Sequence, residues 1–180
     1  MMAVGPLMIE HRLIERVVAV MKTRLAEMVK EQQVDALFVD RAADFFLSYA
    51  DHCHHGKEED ILFRALSEKP LAEEHRRTMN TLIEQHVHAR KLVGELLLHK
   101  DKYVRGEDRR KATKNAAECI RDLTEFYPRH VQTEDKQFFL AAMTYLTEAE
   151  QKHMLEQFAE FDRKLIHDRY RALVEEMEDR

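Results

Sequence analysis

Two short stretches of the chain share a pattern of residues that could bind metal ions. Both read H-x3-E-D-x2-F; one begins at His55 and the other at His130, 75 residues later. Each places a glutamate, Glu59 or Glu134, four residues after the histidine. On an α-helix such a pair lies on one face with Cβ atoms roughly 5–6 Å apart. Each pair could therefore ligate one metal ion or two adjacent ions.

Two further histidines extend this pattern into a longer repeat. His11 and His86 are also 75 residues apart, and each lies 44 residues before the histidine of an H-x3-E pair. The unit H-x43-H-x3-E thus occurs twice. A two-helix unit used twice predicts a bundle with a pseudo-twofold axis, in which all six residues face one core.

The predicted donor set favours a dinuclear metal site. Four neutral imidazoles and two carboxylates suit two ions with the glutamates bridging, and this mixture favours iron, manganese or zinc over soft-metal ions. Six protein ligands leave coordination positions open for small molecules. If the six residues only packed together, each unpaired buried carboxylate would cost several kcal/mol. A ferritin-like site needs two E-x-x-H motifs, and only Glu150 to His153 fits that pattern. A mononuclear or zinc site with a structural role remains an alternative.

Long amphipathic helices must position these residues. Apolar residues make up 44% and charged residues 35% of the 180, with only four glycines and three prolines, a balance typical of such helices. The stripe of the first helix steps by four and three residues through Leu7, His11, Ile14, Val18, Met21, Leu25 and Met28. A second helix is predicted to present Phe38, Phe45, His52, His55, Glu59, Leu62 and Leu66.

The predicted fold class is all-α, an antiparallel up-down four-helix bundle with an additional C-terminal helix. The bundle is assigned to residues 1–146. Residues 147–180 are predicted to form an amphipathic helix, opened by a capping box in the sequence TEAE. That helix is expected to pack on the bundle or to form a homodimer interface.

Charge, hydropathy and cysteine count argue against several classes of partner and location. A formal charge of −5 argues against nucleic acid, and no apolar run approaches the ~20 residues of a membrane span. The N-terminus has no basic segment followed by an apolar one, so no signal peptide is predicted. Cys53 and Cys119 do not form a disulfide framework. We expect a cytoplasmic protein.

The stretches MIEHRLIER, HCHHGKEEDILF and RHVQTEDKQFF resemble the hemerythrin-like family, also called HHE cation-binding domains. The resemblance covers roughly residues 5–145. It implies an up-down four-helix bundle that holds two iron ions in an oxo- or hydroxo-bridged centre. The implied ligands are His11, His55, His86 and His130, with Glu59 and Glu134 as bridges.

One departure from the oxygen-carrying members bears on function. Those proteins have a fifth histidine one turn from the histidine of the third helix, whereas Leu82 and Arg90 lie one turn either side of His86. This departure resembles the iron–sulfur repair and peroxide- or nitric-oxide-reactive members more than the oxygen carriers, and it argues against simple reversible oxygen transport. The predicted function is binding or sensing of O2, NO, peroxide or iron. The alternative is an enzyme that turns over peroxide or nitric oxide or helps repair iron–sulfur clusters.

Three neighbours of the predicted ligands are candidates for outer contacts. His52 and Tyr127 each lie one turn before a ligand histidine, where they could donate hydrogen bonds or line the path to the open positions. Arg90 could hydrogen-bond a bound anion or peroxide. His54 and His88 are expected to face solvent.

Overall fold

The computed structural model describes residues 2–163 and 166–179, and four long helices form its body. Helix α1 spans Gly5–Glu31 and helix α3 spans Glu73–Val104. Helix α2 runs continuously over residues 36–67, and helix α4 over residues 109–143. No strand occurs in the described residues. The predicted all-α class is confirmed.

Short connections make these helices run alternately up and down. The loops between them cover residues 32–35, 68–72 and 105–108, and loops this short join antiparallel neighbours. Asp35 caps α2 by accepting from the Phe38 N–H at 3.0 Å, and Asp108 caps α4 by accepting from the Lys111 N–H at 3.2 Å. Gly106 has φ 78°, a left-handed conformation that favours glycine. Helix α4 packs against α1 and α3, and α2 packs against α3 and α1.

Helices α2 and α4 depart from α-helical geometry where the predicted metal ligands lie. Helix α2 contains two π-helical stretches, Phe45–His55 and Glu58–Phe63. Helix α4 contains one, Glu134–Phe138. Such i→i+5 turns are rare in proteins, and those that do occur are often found at functional sites.

The core consists of two apolar clusters with a polar layer between them. On α1, Leu7 belongs to one cluster and Ile14 to the other, and His11 lies between them. On α3, Leu82 and Ala89 belong to different clusters, on either side of His86. The apolar stripes of all four helices thus hold a single layer of histidines and carboxylates away from water.

The C-terminal region consists of two helices where one was predicted. Helix α5 spans Glu148–Phe161 and begins with the predicted capping box of Thr147 and Glu150. Helix α6 spans Ile166–Glu178. Its Tyr170, Val174 and Met177 are buried in the larger apolar cluster, so α6 packs on the bundle. Residues 164, 165 and 180 of the predicted C-terminal helix lie outside the described residues. Among the described helices, none is both long and apolar enough to cross a membrane.

Candidate metal centre

Seven side chains from all four bundle helices converge in the polar layer, and each is at most 2% exposed. Their possible ligand atoms form two groups, and within each group the atoms lie within 4.8 Å of one another. The first group comprises His11, His54, Glu58 and Glu134. The second group comprises His55, His86 and His130.

The structure brings together five of the six predicted site residues: His11, His55, His86, His130 and Glu134. The structure differs from the sequence-based expectation at two residues of α2. Glu59 lies outside the cluster, and Glu58 takes its place there. His54, which we expected to face solvent, is 1% exposed and belongs to the first group.

The π-helical turns of α2 explain both differences. The predicted stripe assumed 3.6 residues per turn, whereas i→i+5 hydrogen bonds give a wider turn of about 4.4 residues. Steps of four and five residues from Phe45 lead through Tyr49, His54 and Glu58 to Phe63, all of them buried. The wider turn therefore directs Glu58 inward and moves Glu59 to the edge of the layer.

The pseudo-twofold repeat is present with a register that differs by one residue in α2. His11 and His86 remain 75 residues apart, while corresponding residues of α2 and α4 are 76 apart. In this register His54 corresponds to His130, Glu58 to Glu134 and His55 to Val131. The two halves thus differ at one ligand position, because only α2 supplies an additional histidine.

Each of the five histidines uses Nδ1 to hold an oxygen outside the cluster. The pairs are His11–Asp135 at 2.8 Å, His54–Glu10 at 2.7 Å, His55–Asp51 at 3.2 Å, His86–Glu59 at 2.7 Å and His130–Gln85 at 2.8 Å. Carboxylate and amide oxygens only accept hydrogen bonds, so each Nδ1 donates. Nε2 is then the atom that each ring offers to the cluster, as in metal-ligating histidines.

The atoms that face the centre of the layer have no hydrogen-bond partner among the described residues. They are Nε2 of His55, His86 and His130 and both carboxylate oxygens of Glu58 and Glu134. The nearest groups are imidazole nitrogens at ion-pair distance, with His11 Nε2 3.1 Å from a Glu134 oxygen and His86 Nε2 3.3 Å from a Glu58 oxygen. A buried polar atom without a hydrogen-bond partner costs roughly 1–3 kcal/mol, so such a group of atoms favours a bound ligand. The Nε2 atoms of His11 and His54 lie 3.0 Å apart, close to the separation of two ligands at right angles on one ion with bonds of about 2.1 Å. These residues fit two metal ions.

The model of the hemerythrin HHE cation binding domain matches residues 3–142 of the chain. The chain belongs to this family. The resemblance expected from the sequence is confirmed, and with it a role in cation binding. No curated protein and no solved structure matches the chain.

In this hemerythrin HHE domain without a bound ion, burial and neighbouring charged groups shift the pKa values of several side chains in the polar layer. Burial and the neighbouring Glu134 carboxylate raise the pKa of Glu58 well above its usual 4.5. Burial, aided by repulsion from His86, His54 and His130, lowers the pKa of His55 well below 6.5. Burial also disfavours charge on His11, but its hydrogen bond to Asp135 and the nearby Glu134 carboxylate raise its pKa to about 10. An ion bound here would displace the proton on His11 Nε2.

The three residues predicted to contact the ligand histidines from outside differ in where their side chains lie. His52 is exposed, and its ring lies 6.3 Å from that of Phe161, away from the cluster. Tyr127 is buried, with its ring 4.7 Å from Phe46 and 6.4 Å from His130. Arg90 contacts two of the carboxylates that orient histidines. His88 is exposed, as expected.

Sequence reasoning missed most of the oxygens that orient the ligand histidines. Glu10 and Gln85 directly precede His11 and His86, so they carry the same 75-residue spacing. That spacing could have identified them. No comparable signal marks Asp51, whose place in the other half of the repeat is held by Tyr127.

Proposed function

We propose that this domain holds two iron ions in an oxo- or hydroxo-bridged centre. His11 and His54 would hold one ion and His55, His86 and His130 the other, and Glu58 and Glu134, which lie near both sets of imidazoles, would supply carboxylate oxygens to both ions. The observation that carries this proposal is the pair of fully buried carboxylates, whose four oxygens have no hydrogen-bond partner in the described part of the chain. Two cations between them would neutralise both carboxylates.

The two ions would have unequal numbers of protein ligands. One receives three imidazoles and the other two, because Val131 holds the place that corresponds to His55. We therefore place the open coordination positions at the ion of His11 and His54. Val131 also lines a groove of about 220 Å³ between α1 and α4. Bound iron would supply the coordination and redox chemistry that a diatomic gas or peroxide requires.

Binding or sensing of O2, NO or peroxide is the function that this donor set supports best. The sequence repeat contains four histidines, a number that argues against an oxygen carrier. Counting His54 gives five imidazoles and two carboxylates, and the additional histidine comes from α2. Five imidazoles match the histidine number of the oxygen-carrying members, which favours reversible binding over turnover. Turnover of peroxide or nitric oxide, or iron–sulfur repair, remains the alternative.

Stopped-flow mixing of the iron-loaded, reduced protein with O2, NO and peroxide tests this proposal. We expect one adduct per centre with O2 or NO, reversed when the gas is removed. Val131→His should slow adduct formation, because the new imidazole competes for the open position, while Val131→Leu serves as the matched control. Continuous consumption of peroxide or NO would favour the enzyme alternative, and equal rates in both variants would contradict the assigned open position.

The proposal also includes a cytoplasmic location. Cys53 and Cys119 are free and buried, which suits a compartment where thiols stay reduced. A homodimer stays a prediction, to be tested by the mass of the protein in solution.

A further inference from the structure

The carboxylates that orient the ligand histidines are themselves held by positively charged side chains. Arg90 donates from Nε to Asp51 at 2.7 Å and from Nη2 to Glu59 at 2.7 Å. Asp51 and Glu59 in turn accept from His55 and His86. One guanidinium therefore spans the two acceptors of two neighbouring ligands.

The other half of the layer repeats this arrangement with different cations. Arg12 donates to the Asp135 carboxylate that holds His11. The fully buried Lys57 donates to Glu10, which holds His54. Thus four of the five ligand histidines donate a hydrogen bond to a carboxylate, and that carboxylate in turn accepts one from a positively charged side chain.

His130 is the exception. Its acceptor is the neutral amide oxygen of Gln85, at 2.8 Å. His130 and Gln85 also line a cavity of about 470 Å³, together with exposed Glu84 and Asp122. This ligand is therefore held by the weakest acceptor and lies beside open space.

Arg90 is placed to act through geometry and through charge. Its planar fork fits two acceptors at once, which a lysine ammonium at the end of a flexible chain cannot reproduce. The rings it fixes indirectly, those of His55 and His86, are stacked with centroids 3.8 Å apart and an interplanar angle of 9°. Its charge lies two hydrogen bonds from the rings of His55 and His86, so it should disfavour the oxidised, more positive form of the centre.

We propose that Arg90 is a positioning residue of the metal centre, which fixes the His55–His86 pair and raises the reduction potential of the ions. This inference rests on the proposed function, because it requires a bound metal pair. It replaces the contact with a bound anion that the sequence suggested, since two guanidinium nitrogens of Arg90 donate to carboxylates.

The experiment compares Arg90→Met and Arg90→Lys with the control Lys91→Met, all loaded with iron. Lys91 lies on the same helix, is 72% exposed and pairs only loosely with Glu95 at 3.7 Å. Two quantities are measured, the rate of iron release to a chelator and the midpoint potential. Loss of an outer contact typically weakens a metal site about 10–100-fold. We expect Arg90→Met to release iron about tenfold faster than the control. We also expect it to raise the ratio of oxidised to reduced centre about tenfold at a given potential, which corresponds to a midpoint potential about 59 mV lower.

Arg90→Lys separates the two roles and guards against a folding defect. It keeps the charge without the fork, so it should release iron faster than wild type while retaining most of the potential. Release rates and potentials in Arg90→Met equal to those of Lys91→Met would overturn the inference. So would a release rate in Arg90→Lys equal to wild type, or equal potentials in both Arg90 variants. Failure of the wild type to bind two ions would instead refute the proposed function.

Discussion

Replacing Glu58 with glutamine should stabilise the metal-free protein and abolish its metal centre at the same time. Glu58 is fully buried, and burial together with the Glu134 carboxylate raises its pKa well above 4.5. The folded, metal-free chain therefore takes up a proton at Glu58 at pH values where the unfolded chain does not. Glutamine has the shape of the protonated acid and needs no proton, but it cannot bridge two cations as a carboxylate does.

The size of the effect follows from that proton. Because the folded-state pKa of Glu58 lies above the unfolded one, its contribution to stability is complete below the unfolded pKa. The contribution is lost as pH rises towards the folded pKa. One proton taken up on folding corresponds to about 1.4 kcal/mol per pH unit in this window. For a chain of this length, 1 kcal/mol shifts the melting temperature by roughly 2–4 °C. The advantage of Glu58→Gln over wild type should therefore grow by roughly 3–6 °C per pH unit above about 4.5.

The neighbouring Glu59 provides a control with the opposite sign. Its side chain is 27% exposed and accepts from His86 and Arg90, each at 2.7 Å. Burial opposes ionisation, but these hydrogen bonds outweigh it and lower the pKa of Glu59. Glu59→Gln should therefore destabilise the metal-free protein by about 2 kcal/mol. Thermal melts by circular dichroism between about pH 5 and pH 7, with chelator present, test both variants. A melting temperature of Glu58→Gln at or below wild type throughout this range would refute the reasoning.

Two further predictions concern side chains outside the ligand layer. Lys57→Met should lower the free energy of unfolding by about 3–5 kcal/mol, because Glu10 and Asp162 lose their buried cation; an unchanged denaturation midpoint would contradict this. Gln85→Glu should slow iron release to a chelator several-fold, because a charged acceptor holds His130 more firmly than an amide does; a rate equal to that of the unmodified protein would count against it.

The helices of the bundle could be predicted because apolar periodicity determines which side of a helix is buried. Along α1 the predicted stripe is buried at Leu7, His11, Ile14, Val18 and Met21. The same periodicity correctly placed the histidine of α3 in the core. The division of the chain at residue 146 stays a prediction.

The side chains of α2 that face the polar layer could not be predicted from that periodicity, because a π-helical turn changes the number of residues per turn without a distinct sequence pattern. An apolar stripe with a period of 3.6 selects Glu59, whereas the wider turn selects Glu58. Aligning Glu58 and Glu59 with Glu134 and Asp135 would have pointed to the register in which the buried side chains lie. In both halves the first acid of the pair faces the centre, and the second orients a histidine.

Iron analysis of the reconstituted protein tests the central claim most directly. The metal-free chain is loaded anaerobically with Fe2+, freed of excess metal and analysed for iron per chain, alongside Glu58→Gln and Glu59→Gln. The account predicts two irons per chain in the unmodified protein and in Glu59→Gln, and less than one in Glu58→Gln. One iron per chain in the unmodified protein, or two irons retained by Glu58→Gln and lost from Glu59→Gln, would contradict it.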